Sequence, residues 1–119
     1  MTMGKIELNG MKFFARHGCL ESERLSGNEF LVDFECETDT SAAELSDCLD
    51  DTLDYSRVYA VVAREMERPC NLLEHLAGRI ADSLAAEDIP GLGHFTIRVS
   101  KKNPPVGGEC EWARVSVKR

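Results

Sequence analysis

Apolar and polar positions alternate in four stretches of this chain and recur at helical spacing in two others. The first stretch runs Ile6, Leu8, Met11, Phe13. Its alternation slips at Gly10, which predicts a strand interrupted by a bulge. Phe30, Val32, Phe34 and Cys36 alternate with Asp33, Glu35 and Glu37, giving a second strand with one apolar and one charged face. Phe95, Ile97 and Val99 mark a third strand. Ala113, Val115 and Val117, set against Trp112, Arg114 and Ser116, mark a fourth. Between the second and third, Val58, Val61, Val62 and Met66 trace the stripe of a helix that Pro69 stops. Leu72, Leu73, Leu76, Ala77, Ile80 and Leu84 trace another, closed by Pro90 and Gly91. Gly18 and Gly27 bracket a polar connection, and the acidic stretch from Thr40 to Asp54 carries a short helical turn at Ala42–Leu45. Gly107 and Gly108 lie in the last connection.

The resulting order, ββααββ, predicts one α+β domain over residues 1–119, an antiparallel four-stranded sheet with two helices on one face. Both sheet edges are left open. Neighbouring copies of the same chain would close them and turn the sheets into a barrel, so a homo-oligomer is expected.

Composition narrows the partners. The net charge of −7 and the lack of any basic cluster beyond Lys101-Lys102 argue against nucleic acid and anionic membrane surfaces. No apolar run approaches the ~20 residues needed to span a bilayer. Strand pattern begins at once after Met1, leaving no room for a signal peptide. The five cysteines are scattered without a CxxC, which fits reduced thiols and a cytoplasmic location.

The third strand delivers Lys101 into Lys102-Asn103-Pro104-Pro105, where two prolines end the ladder and fix the lysine at the sheet rim. Lys102 nearby would favour an amine that exchanges protons near neutrality. Equally, the two lysines would serve as guards of a strand edge. Asn71-Leu72-Leu73-Glu74 has capping-box spacing, with Asn71 as N-cap and Glu74 reaching back. In another reading, Glu74 is an ionised acceptor for a flat donor edge. Tyr55 opens the first helix behind Asp54, either packed or as a proton-relaying phenol. His17 reads as a structural hydrogen-bonder, and the histidines at 17, 75 and 94 lack zinc-site spacing. No phosphate-binding glycine motif is present.

Together these segments resemble the dihydroneopterin aldolase family of the tunnelling fold (T-fold). The carriers are Ile6-x-Leu8-x-Gly10-Met11-x-Phe13, His17-Gly18 with Glu23, Asp51-Thr52-x-x-Tyr55, Asn71 through Ala77, and Ser100-Lys101-x-Asn103-Pro104-Pro105. The resemblance implies a tetrameric ring or a stacked octamer with its site between subunits, the tyrosine side coming from the adjacent copy. It implies Glu74 as the pterin anchor, backbone bonds around Leu72 and Leu73, and Leu53 and Leu20 lining the pterin faces. It makes Lys101, Glu23 and Tyr55 the catalytic residues of a retro-aldol cleavage that needs no cofactor, no metal and no Schiff base. The products would be 6-hydroxymethyl-7,8-dihydropterin and glycolaldehyde, with 2′-epimerisation as a side activity. A triphosphate epimerase of the same fold, for which only Lys102, Arg16 and Arg24 offer nearby cations, and a non-catalytic pterin-binding oligomer are the alternatives.

Overall fold

The computed structural model describes residues 1–119. Its strands are β1 (Met3–Ala15), β2 (Asn28–Asp39), β3 (Phe95–Lys102) and β4 (Trp112–Lys118), paired antiparallel in the order β1-β2-β3-β4. Two long helices, α3 (Tyr55–Met66) and α4 (Leu73–Ala86), follow two short ones, α1 (Glu21–Ser26) and α2 (Ser41–Ser46). For the long elements, the α+β order read from the hydropathy pattern is the order observed, and β1 and β4 are the open edges.

The inward rows of the sheet are the apolar residues singled out above. Phe30, Val32, Phe34, Cys36, Phe95, Ile97 and Val99 are buried beneath Val58, Val61, Val62, Met66, Leu76, Ile80 and Leu84. Helix α3 lies over β1, while α4 lies over β3 and β4. The register of β1 against β2 shifts between Leu8 and Met11, so the bulge falls where it was expected. Gly10 takes φ of 72° there, and its N–H, freed from the ladder, donates to Asp33 Oδ1 at 2.6 Å.

The other face of the sheet carries no helix and is laced with ion pairs. Glu29 on β2 meets Lys12 from β1 and Lys102 from β3, at 3.0 and 3.2 Å. Glu35 is likewise flanked by Lys5 and Arg98, and Asp33 meets Arg114 from β4 at 3.4 Å. Lys102 thus sits on the open face, engaged by Glu29, whereas Lys101 falls on the helix-covered face. Successive strand residues point apart, so the expected help from Lys102 to Lys101 is not delivered.

Two local expectations change. The connection between Gly18 and Gly27 holds helix α1, in which Glu23 reaches back to the Leu20 N–H at 3.3 Å. Asn71 is not the N-cap of α4. That place belongs to Leu72, no side chain caps the helix, and Leu72 is 51% exposed, outside the apolar stripe. Asn71 Oδ1 is instead taken by the guanidinium of Arg24. Asp54 does cap α3, accepting from Ser56 N at 3.0 Å. At its other end α3 is closed by Arg79 of α4, whose Nη2 donates to the carbonyls of Glu65 and Arg68, a cation placed at the negative end of the helix.

Candidate active site

Lys101 ends the inward row of β3, pairing across the sheet with Phe30 and Ala113. The apolar row thus terminates in an ammonium. Its partner is Glu23 on α1, with Nζ to Oε2 at 2.8 Å and side chains only 12% and 13% exposed. The second carboxylate oxygen of Glu23 takes the Leu20 N–H, so the carboxylate is held from two sides. Gly18 makes this possible. A Cβ there would lie 2.4 Å from the Glu23 carboxyl carbon, and the residue adopts φ of 154°.

The segment after β1 is fastened to the α3–α4 connector by a group of hydrogen bonds. Gly18 N donates to Cys70 O at 2.9 Å, and Cys19 Sγ donates to Asn71 O at 3.6 Å. His17, 1% exposed, accepts from Cys70 N at Nδ1 (3.2 Å) and donates from Nε2 to Met66 O (3.1 Å). These partners fix the tautomer, and the ring meets Phe30 edge-on with centroids 5.1 Å apart. His17 is the structural hydrogen-bonder that its place in the sequence suggested. This seam sets the start of α4 beside the Glu23–Lys101 pair. The first N–H groups of α4 are left without a side-chain cap, and Glu74 stands exposed in its first turn. Glu74 lines a groove of about 590 Å³ with Arg68, His75, Arg79 and Asp82; Lys101 and Glu23 are not among its walls.

Burial pushes the His17 imidazole down to about 4, with the nearby Arg79 charge adding to the effect. Because the unfolded imidazole titrates near ~6.5, the unfolded chain binds the extra proton between these values. Stability is therefore fully present above the unfolded value and falls as the pH drops toward the folded one, by roughly 3 kcal/mol in all. Denaturant unfolding from pH 7.5 to 4.5 should show this loss. His17→Gln should flatten the slope, and an unchanged slope would refute the assignment.

Two further candidates lie elsewhere. Tyr55 and Met66 are the first and last residues of α3, about 16 Å apart, and it is the Met66 end that meets His17. Tyr55 is 56% exposed at the far end. Leu53 lies beside it, 1% exposed, its backbone packed against Gly91. Gly91 O accepts from Thr38 of β2, which is about 26 Å along the strand from Phe30, the partner of Lys101. The expected residues thus fall into two groups: Glu23, Lys101, Leu20, Leu72, Leu73 and Glu74 at one end, Tyr55 and Leu53 at the other. The buried Leu53 has no surface to offer a pterin face within this protomer, because the core already claims it. Arg24, Asn71 and Gly18 take part in building the first group; the sequence marked Gly18 in the His-Gly pair, Asn71 as a cap and Arg24 as a nearby cation, but nothing in their spacing joins Arg24 to Asn71.

A comparison with known families matches residues 6–118 to the profile described as dihydroneopterin aldolase (FolB). A curated dihydroneopterin aldolase from Streptococcus pyogenes serotype M18 is 36% identical over 118 residues, 98% of each chain. Among solved structures, the Escherichia coli dihydroneopterin aldolase in complex with neopterin superposes with a TM-score of 0.85 at 22% identity, covering 98% of this chain and 99% of that one. The enzyme from Burkholderia thailendensis bound to guanine gives 0.76 at 19%, covering 98% and 90%. These likenesses establish the T-fold architecture.

Proposed function

The chain belongs to the dihydroneopterin aldolase family, and from that premise we propose how its residues carry out the cleavage of 7,8-dihydroneopterin. The observation that carries the mechanism is the secluded Lys101–Glu23 pair at 2.8 Å, an ammonium and a carboxylate held at the rim of the core beside an uncapped helix start. Glu74 accepts from the pterin N3–H and 2-amino group, while backbone groups around Leu72 and Leu73 meet the remaining polar atoms. Leu20 borders the ring, whereas the side chain of Leu53 stays in the core. Lys101, once its ammonium has passed a proton to Glu23, takes up the proton of the side-chain 2′-hydroxyl through an ordered water, and the C1′–C2′ bond breaks. Its electron pair flows into the C6=N5 imine of the substrate, glycolaldehyde leaves, and Tyr55 assists protonation at C1′. The substrate imine is itself the electron sink, so the step requires neither a Schiff base on Lys101 nor a metal. Re-addition of glycolaldehyde to the opposite face gives the 2′-epimer.

The cations near this pair favour a substrate without phosphates. Arg16 is bonded to the carbonyls of Arg24 and Leu25, Arg24 to Gly18 O and Asn71, and Lys102 to Glu29. All three are committed within the chain. Incubation with 7,8-dihydroneopterin in excess EDTA should yield 6-hydroxymethyl-7,8-dihydropterin and glycolaldehyde. Turnover only of the triphosphate, or none, would overturn the reading.

The separation of Tyr55 from Lys101 supports a site shared between copies of this one-domain, cytoplasmic chain, in a tetrameric ring or a homo-octamer. Lys101→Ala and Tyr55→Phe chains, each alone nearly inactive, should recover about a quarter of the unaltered activity when co-assembled in equal amounts, since that fraction of interfaces pairs two intact halves. No recovery on mixing would refute the shared site.

A further inference from the structure

Arg24 has no part in the chemistry above, yet it connects the two elements that chemistry depends on. Its Nε donates to Gly18 O at 2.9 Å, and its Nη2 donates to the side-chain carbonyl of Asn71. Gly18 is the residue against which the Glu23 carboxyl packs, and Asn71 immediately precedes Leu72, the N-cap of α4. One guanidinium therefore spans from the floor of the Glu23–Lys101 pair to the residue that leads into Glu74. Arg24 is itself fixed, because Arg16 Nη1 donates to the carbonyls of Arg24 and Leu25 at the end of α1.

The other bonds across this seam come from the His17 ring, the Gly18 N–H and the Cys19 thiol, all in the segment that precedes α1. Arg24 is the side chain of α1, the helix that carries Glu23, that reaches the α3–α4 connector. The fork geometry matters here. A planar guanidinium holds its donors in fixed relation, so an error at one acceptor is transmitted to the other. Proton transfer tolerates little such error, since a misplacement of about 1 Å can cost on the order of 100-fold in rate.

We propose that Arg24 is a positioning residue for the aldolase reaction, coupling the Glu23–Lys101 pair to the pterin-anchoring start of α4. The proposal rests on the aldolase reading and extends it to a residue that touches neither substrate nor reacting atoms. Glu74 and the α4 backbone survive loss of the tie, so binding should persist while the geometry for chemistry degrades. A residue that merely held the fold together would lower melting temperature and binding along with rate.

The test is a double-mutant cycle on Arg24→Ala and Asn71→Ala, read by kcat on 7,8-dihydroneopterin and by the Kd of 6-hydroxymethylpterin. Each single variant should lower kcat by roughly 10–100-fold and leave Kd within about threefold. The double variant should be no worse than the poorer single one, because a tie is broken only once. Arg24→Lys should not restore the rate, as one ammonium cannot reproduce the fork. Asn71→Asp, which keeps the acceptor, should retain it. A normal kcat in Arg24→Ala, losses that multiply in the double variant, or a Kd that weakens in step with kcat would each overturn the proposal. The unaltered protein, run in the same assay, separates the two failures: its inactivity would overturn the aldolase reading itself, and the tie with it.

Discussion

Lys101→Ala should lower turnover of 7,8-dihydroneopterin by roughly 10²–10⁴-fold, the usual worth of a positioned general acid or base, while pterin affinity changes by less than about threefold. The asymmetry follows from placement. Lys101 belongs to the end of β3 and to Glu23, whereas the groups proposed to bind pterin lie at the start of α4. Removing the ammonium also leaves Glu23 secluded with only the Leu20 N–H, so some loss of stability is expected. Lys101→Arg separates the two consequences. It keeps the positive charge beside Glu23, but a guanidinium does not release its proton in the working range, so turnover should stay low in a stably folded protein. Undiminished turnover in either variant would sink the role given to Lys101.

Glu74→Ala should weaken pterin binding by roughly 10²–10³-fold, because two charge-assisted hydrogen bonds to one planar edge are lost together. No comparable effect on folding is expected. Glu74 is exposed and α4 draws no side-chain cap from it, so the melting temperature should move little. Titration calorimetry with 6-hydroxymethylpterin gives the measurement. Glu74→Gln is informative beside it, since an amide keeps one acceptor but turns a donor toward the pterin donors. A dissociation constant within threefold of the unaltered protein for Glu74→Ala would reject the anchor.

The fold was legible because burial and periodicity agree along each long element. Phe30 to Cys36 could sit only with their even positions inward, and Val58 to Met66 only on a helix. Helix α1 escaped because Glu21–Ser26 has no apolar stripe and buries no residue; it is held by polar contacts at its ends. Asn71 looked like a cap because its side chain suits that role, and a tertiary partner, Arg24, claimed the same oxygen. The site was less legible than the fold. Glu23 and Lys101 lie 78 residues apart, and only resemblance joined them before the structure set them at 2.8 Å. That Tyr55 stands at the opposite end of α3 from His17 follows from the length of a helix, which spacing in the sequence states but does not place in space.

The charge ladder on the open face of the sheet has a bearing on how the strands find each other. The outward row of β2 is acidic at Glu29, Asp33, Glu35 and Glu37, and its neighbours contribute Lys5, Lys12, Arg98 and Lys102. Sliding a neighbour by two places still sets cations against an acidic rail, so the ladder selects which strands lie beside β2 while tolerating several alignments. Alignment is left to features that do not repeat, namely the Gly10 bulge bonded to Asp33 and the Phe30–Phe34 row beneath the helices. Two β2 strands from different molecules, meeting before their own partners arrive, would bring carboxylate against carboxylate. The chain thereby discourages self-pairing through its central acidic strand at the stage when that strand is most exposed.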